Sequence, residues 1–308
     1  MKNVFCLLLT VLLIPHAARA VAFEFQPNDR VILLGSTIIE REQKFGHLET
    51  ALTLAAGDKA ISVRNLGWSG DTVFGHARSY FGEPKEGIER LSKHLDLFKP
   101  TVLITCYGSD LAFEGLTQLP DFITGYRALL DLARSKNPNV HIVIIAPPPF
   151  ENLGPPLPVM SEPNAKLMEL RNALKGFAAK QNATFVDTFD LMGGAKDARP
   201  MKPLTDNGLH YDDEGYRLWA AKVVEGLGLK KADVANNEAE ALRKIIIEKD
   251  RLFFNRWRPA NETYLFGFRK HEQGKNGAEI EQFDPLIETH DKKIHTIKTE
   301  LLAKKKLP

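Results

Sequence analysis

Arg30-Val31-Ile32-Leu33-Leu34-Gly35-Ser36-Thr37-Ile38-Ile39-Glu40 is the stretch on which the fold turns. Its short apolar run reads as a strand, and Gly35 supplies the turn that ends it. Ser36 and Thr37 then bring two adjacent hydroxyls to the carboxyl end of that strand. A hydroxyl so placed can act as a nucleophile if a base reaches it. The same Gly-Ser-Thr also makes an ordinary turn or helix cap.

Four further β-rich runs follow at Ile61–Asn65, Thr101–Tyr107, His141–Ala146 and Thr184–Phe189. Between them lie stretches of helical periodicity, such as Ile88, Leu91 and Leu95, then Phe122, Tyr126, Leu129 and Leu130, then Leu167, Leu170, Leu174 and Phe177. Strand and helix alternating in this way predict an α/β fold, a three-layer α/β/α sandwich on a five-stranded parallel sheet with right-handed crossovers. Ligands of such sheets bind at the carboxyl ends of the strands. Two irregular connections start there: Pro147 through Pro163, and Met192 through Gly208.

The flanks and composition narrow the class. Residues 1–20 have the charged, apolar and small-residue order of a secretory signal peptide, with Lys2 ahead of the apolar run and Ala18-Arg19-Ala20 at its end. The expected product is exported, to the periplasm or beyond, with no later span. Loss of Cys6 would leave only Cys106, inside a strand-like run, so a disulfide framework is excluded and the thiol reads as a small buried hydrophobe. The formal charge of +2, with basic and acidic residues interspersed, carries no nucleic-acid footprint. Residues 21–235 form the expected main domain. From 236 to 308 the composition changes to a charged helical stretch reaching about Asn255, an aromatic and basic segment around Trp257, Tyr264, Phe266 and Phe268, and a polar Lys-rich tail. The aromatics are expected to pack on the main domain and the basic residues to be solvated.

Three more loops converge on the same sheet edge. Asn65-Leu66-Gly67-Trp68-Ser69-Gly70-Asp71-Thr72 has two glycines that let backbone N–H groups approach an oxyanion. Tyr107-Gly108-Ser109-Asp110 aims a polar side chain at the edge. Thr205-Asp206-Asn207-Gly208-Leu209-His210 delivers an imidazole ahead of a helix carrying Tyr216, Trp219 and Val223. Asp110, Asp206 and His210 could gather around a cation, but no His-x-His or His-Glu-x-x-His spacing supports a ligand set, and no cofactor or metal is expected.

Together the four segments resemble, in order and spacing, the blocks of the SGNH or GDSL hydrolase family, whose flavodoxin-like fold serves esterases, lipases and carbohydrate deacetylases. The resemblance runs from about Arg30 to Leu227. It places Gly35, Ser36 and Thr37 on the family's Gly-Asp-Ser, so that Thr37 stands for the nucleophilic serine and Ser36 for the aspartate. Gly70 falls on the oxyanion glycine, Asp110 on the oxyanion asparagine, and Asn207 and His210 on the ends of Asp-x-x-His. Gly70 and His210 are thus retained, whereas the nucleophile, one oxyanion donor and the acidic partner of the histidine are altered.

Each alteration has a chemical reading. Thr37 keeps a hydroxyl but adds a methyl that restricts χ1; Ser36 is the competing nucleophile, one residue out of register. An ionised Asp110 would repel an oxyanion, and a protonated one would donate to it. Asn207 is expected to accept a hydrogen bond from the His210 ring without supplying negative charge, leaving Asp206 next door as the first choice for that charge, ahead of Asp212 and Asp213. Glu40-Arg41, Asn255-Arg256-Trp257-Arg258-Pro259 and Gly267-Phe268-Arg269-Lys270 also resemble a subgroup of exported SGNH-like proteins whose first block reads Gly-x-Thr.

The implied function is a carboxylic ester hydrolase of SGNH type, an esterase or carbohydrate O-deacetylase that takes a small-molecule or polysaccharide ester and works through an acyl-enzyme. The alternative is a weakened SGNH fold that binds a glycan or protein partner without turnover.

Overall fold

The computed structural model describes residues 23–79, 82–232 and 234–304; the leader expected over residues 1–20 lies outside them, as do Lys305 and Lys306. Five parallel strands form one sheet: β1 (Asp29–Gly35), β2 (Ile61–Asn65), β3 (Val102–Cys106), β4 (His141–Ile145) and β5 (Thr184–Val186), in the order β2-β1-β3-β4-β5. The fifth strand is shorter than its apolar run. Asp187 ends it by accepting the Asp190 N–H, which caps a one-turn helix, and the Thr188 hydroxyl is tied to the carbonyl of Ala146.

Alternation along the strands feeds two cores. Ile32, Leu34, Leu103, Ile142 and Ile144 face α3 (Pro84–Phe98), α5 (Leu119–Lys136) and α6 (Ser161–Lys180), with α4 (Leu111–Glu114) ahead of α5. Val31, Leu33, Ile104, Val143 and Ile145 face α1 (Thr37–Phe45), α2 (His47–Ala55) and α8 (Asp213–Gly226), which follows α7 (Thr188–Leu191). Leu33 and Leu34, next to each other in sequence, therefore point to opposite cores and are both almost fully buried. Each such side chain contributes roughly 1.5–3 kcal/mol. This double coverage is why β1, β3 and β4 read as near-continuous apolar runs.

The chain leaves β1 for β2 on one side and then returns to place β3 on the other, so the order reverses between β1 and β3. Their carboxyl ends diverge into the crevice where such sheets bind ligands. Gly35 and Cys106 sit opposite one another at its floor. A Cβ on Gly35 would stand 2.4 Å from the Cys106 carbonyl oxygen, so only glycine lets the two strand ends meet.

After α8 come α9 (Asn236–Trp257), α10 (Glu262–Leu265), α11 (Lys270–Gln273) and α12 (Phe283–Lys304). Helix α9 covers β2, the edge strand, and α12 packs along α9 through Leu242, Ile246, Ile294 and Leu301. The polar Lys-rich tail is thus a helix with a buried stripe of widely spaced apolar residues, a pattern that its many lysines hide in the sequence. Beneath α9, the buried Lys249 ammonium donates to Glu49 on α2 at 2.6 Å and to the Val63 carbonyl of β2 at 2.9 Å, and pairs with Asp250 at 3.0 Å. Arg64 of β2 pairs with Asp291 of α12. Among the described residues, no helix is long and apolar enough to cross a membrane.

Candidate active site

The crevice between β1 and β3 opens as a cleft of about 220 Å³ lined by Ser36, Thr37, Gly70, Asp110 and His210, with apolar walls from Phe113, Phe150 and the three prolines 147–149. Five of the seven site residues expected from sequence thus share one cavity. Asn207 reaches it through His210, and Asp206 does not line it.

Ser36 caps α1 in an extended conformation, and its carbonyl accepts the N–H groups of Ile39 and Glu40. Helix formation leaves the N–H groups before those, at Thr37 and Ile38, without intrahelical acceptors and at the positive end of the helix. The Ser36 side chain makes no capping bond, so its hydroxyl is not committed to the helix start.

The loop bearing Gly70 is rigid for reasons its glycines only partly reveal. Gly67 runs so close to α1 that a Cβ would lie 2.3 Å from the Glu40 nitrogen, and Asn65 ties the two by donating to the Ile39 carbonyl at 2.6 Å and accepting from Gly67 N at 2.8 Å. Gly70 has φ +75°, a left-handed backbone that favours glycine. Asp71 forms a buried pair with Arg78 at 2.6 Å and accepts the Tyr107 hydroxyl. Arg78 also donates to the Leu66 carbonyl, closing the loop on itself.

Glu40 and Arg41 connect α1 to two other blocks. The Glu40 carboxylate accepts the Ser69 N–H at 2.6 Å and pairs with Arg258 at 2.8 Å. Arg258, beyond the end of α9, lies over the Trp68 ring at 3.8 Å. Arg41 pairs with Asp206 at 3.2 Å and donates to the Tyr211 carbonyl. Asp206 is therefore turned outward to Arg41, and the side chain on the His210 ring is Asn207.

The bond between Asn207 and His210 runs opposite to expectation. Asn207 Oδ1 is occupied by the backbone N–H groups of Leu209 and His210, at 3.1 and 3.0 Å. Its amide nitrogen is what faces the ring, 3.2 Å from His210 Nδ1. Partial burial, joined by the nearby Arg41 guanidinium and opposed by Asp206, lowers the His210 pKa and favours a neutral ring. Burial raises the Asp110 pKa from its ordinary value, opposed by hydrogen bonds from the backbone, with Glu114 adding to the rise. Cys106, pushed up to about 12 by burial alone, is no nucleophile.

The sequence reading missed Glu151. Its carboxylate accepts Leu204 N and the Thr205 hydroxyl, and its own N–H donates to the Gly208 carbonyl at 2.9 Å, so it staples the proline-rich loop to the histidine loop. The one signal was a lone acid following Pro147-Pro148-Pro149-Phe150. Of the C-terminal aromatics, Trp257 is buried while Phe266 and Phe268 are exposed; Arg256 and Arg258 make ion pairs with Asp284 and Glu40 where solvated heads were expected.

Comparison with known proteins bears on this geometry. Residues 40–218 match the GDSL-like Lipase/Acylhydrolase family. The matched stretch includes the loops of Gly70, Asp110 and His210 and begins just after Thr37. No curated protein sequence matches. A gut microbial diltiazem-metabolizing enzyme superposes with a TM-score of 0.65 at 13% identity, covering 91% of this chain and 97% of its own. A putative GDSL-like lipase from Parabacteroides merdae superposes with a TM-score of 0.54 at 21% identity, covering 67% of this chain and 99% of its own. At these identities the likeness is one of fold.

Proposed function

The chain belongs to the GDSL-like lipase/acylhydrolase family, and from that premise we propose that it is an exported esterase that removes a small acyl group from a carbohydrate through an acyl-enzyme on Thr37. The observation that carries this reading is the gathering of Thr37, Gly70 and His210 around one small cleft at the sheet's switch point. A cavity of about 220 Å³ with proline and phenylalanine walls suits an acetyl-sized group and lies below the range of pockets that enclose drug-sized ligands.

Thr37 Oγ1 attacks the ester carbonyl carbon while His210 Nε2 takes the hydroxyl proton. The carbonyl electrons move onto oxygen, and the N–H groups of Thr37 and Gly70 hold that oxyanion. Collapse breaks the bond to the alcohol oxygen, which leaves with the proton from His210. Water, deprotonated by the same ring, then attacks the acyl-threonine and releases the acid. Burial raises the Asp110 pKa, so its protonated fraction, which can donate a hydrogen bond to the oxyanion, grows as the pH falls, while the ionised fraction repels that oxyanion.

The test is turnover of p-nitrophenyl acetate and of acetylated oligosaccharides by the purified protein, beside Thr37→Ala, Ser36→Ala and His210→Ala. Loss of activity in the Thr37 and His210 variants, with Ser36→Ala active, supports the assignment. A wild type no faster than His210→Ala on every substrate removes the esterase reading. Loss in Ser36→Ala alone moves the nucleophile by one residue. A second reading, a fold that binds its ligand without turnover, is favoured by the carboxyl of Asp110 standing where a neutral donor would serve an oxyanion better.

A further inference from the structure

The contact between Asn207 and His210 fixes where the imidazole carries its proton. Asn207 lies inside its own loop with Oδ1 accepting two backbone N–H groups. Exchanging the amide oxygen and nitrogen would set an NH₂ against both of these donors and lose two hydrogen bonds to gain one, so the nitrogen faces the ring. An amide nitrogen is a donor only. His210 Nδ1 must then be the acceptor, and a neutral imidazole that accepts at Nδ1 carries its proton on Nε2. With Nδ1 engaged by Asn207, Nε2 is the ring nitrogen left for the cleft.

We propose that Asn207 is a positioning residue that holds resting His210 in the Nε2–H tautomer, so that the ring faces the cleft as a hydrogen-bond donor and Thr37 is activated only when that proton moves through solvent to Nδ1, which breaks the Asn207 contact and frees the Nε2 lone pair. The proposal rests on the esterase reading for its kinetic part and on geometry alone for the tautomer. An aspartate at 207 would keep one oxygen for Leu209 N and His210 N and present the other to the ring. Nδ1 would then be the donor, with the Nε2 lone pair free to take the Thr37 proton. In a serine-protease triad, holding the ring in the wrong tautomer by the reverse change costs about 10⁴ in turnover. Arg41 keeps Asp206 from filling the role, because the pair at 3.2 Å holds that carboxylate away from the ring.

The experiment records long-range ¹H–¹⁵N spectra of ¹⁵N-histidine-labelled wild type, Asn207→Asp and Asn207→Ala above pH 7, with His210→Ala assigning the resonances, and measures p-nitrophenyl acetate hydrolysis in parallel. Wild type is expected to show an unprotonated Nδ1 and a protonated Nε2. Asn207→Asp should reverse them and raise kcat by roughly ten- to 10⁴-fold with little change in KM. Asn207→Ala, which removes the donor without adding an acceptor, should give a mixture of tautomers. A proton on Nδ1 in wild type overturns the proposal, as does an Asn207→Asp protein that keeps the Nε2–H form. Reversal of the tautomer with no ester turnover in any variant upholds the positioning role and defeats the esterase reading instead.

Discussion

Replacing Lys249 with methionine removes one charge from a closed site beneath α9. Burial drives Glu49 upward, to about 8, with Asp250 adding to the rise and Lys249 opposing it. Asp250 is raised too, again by burial, so near neutrality the two carboxyls hold one proton between them beside the charged Lys249 ammonium. Without the ammonium, the remaining carboxylate must either stay charged in the interior, at a cost of about 3–5 kcal/mol, or take up a proton. Protonating at pH 7 a carboxyl whose ordinary value is 4.5 costs about 3 kcal/mol, and at pH 5 less than about 1 kcal/mol. The sign follows from linkage. A carboxyl whose folded pKa is raised keeps a proton that the unfolded chain has released, so its stabilisation is complete below about 4.5 and drains away as the pH climbs toward the folded value. Lys249→Met should therefore be destabilised by about 3 kcal/mol at pH 7 and by roughly 1 kcal/mol at pH 5. Urea unfolding of both proteins at the two pH values, followed by far-ultraviolet circular dichroism, measures the difference. A destabilisation that does not change between pH 5 and 7 would refute the shared-proton account.

Three other outcomes are expected. Gly35→Ala pushes a methyl to within 2.4 Å of the Cys106 carbonyl oxygen and 2.6 Å of Ile39, so it should cost about 1–3 kcal/mol and lower the melting temperature by several degrees; an unchanged melting temperature would mean that β1 and β3 part freely at the crevice. Arg258→Ala should lower kcat/KM for aryl esters by roughly tenfold through the Ser69–Gly70 loop, and a value within about twofold of wild type would show that the brace on Glu40 does not reach the chemistry. Asp110→Asn should raise turnover at neutral pH by roughly 10–10² and remove a decline in wild-type activity as pH rises through the elevated Asp110 pKa, since only the carboxyl acquires a charge that repels the oxyanion; identical pH profiles would place Asp110 outside the oxyanion's reach.

The sheet was legible because β1, β3 and β4 are apolar on both faces along most of their length and the strands end in turns or polar loops, a local signal that tertiary contacts reinforce. Helix α12 was not, because Ile287, Ile294 and Leu301 are a sparse stripe among lysines and acids, and only the facing α9 gives that stripe a partner. At the site, the order of four blocks sufficed to bring Ser36, Thr37, Gly70, Asp110 and His210 together. The roles of Asp206 and Asn207 escaped for a different reason. Proximity in sequence offered Asn207 as the ring's hydrogen-bond partner and Asp206 as its source of charge, whereas Arg41, more than one hundred and sixty residues away, takes Asp206, and two backbone N–H groups decide which end of Asn207 faces inward. Glu40 was visible only as part of a pattern; its work depends on Arg258, two hundred and eighteen residues on.

That last separation sets a schedule for synthesis. The hydroxyls of Ser36 and Thr37 are among the first parts of the described chain to be made, yet the guanidinium that steadies the loop opposite them belongs to a segment made much later. A nascent chain arrested before Asn236 would hold its sheet with β2 as an open edge and Glu40 still lacking its cation. Assembly of the cleft is thus completed from the carboxyl-terminal side, and a ribosome must translate past Arg258 before the first block it made has its final support.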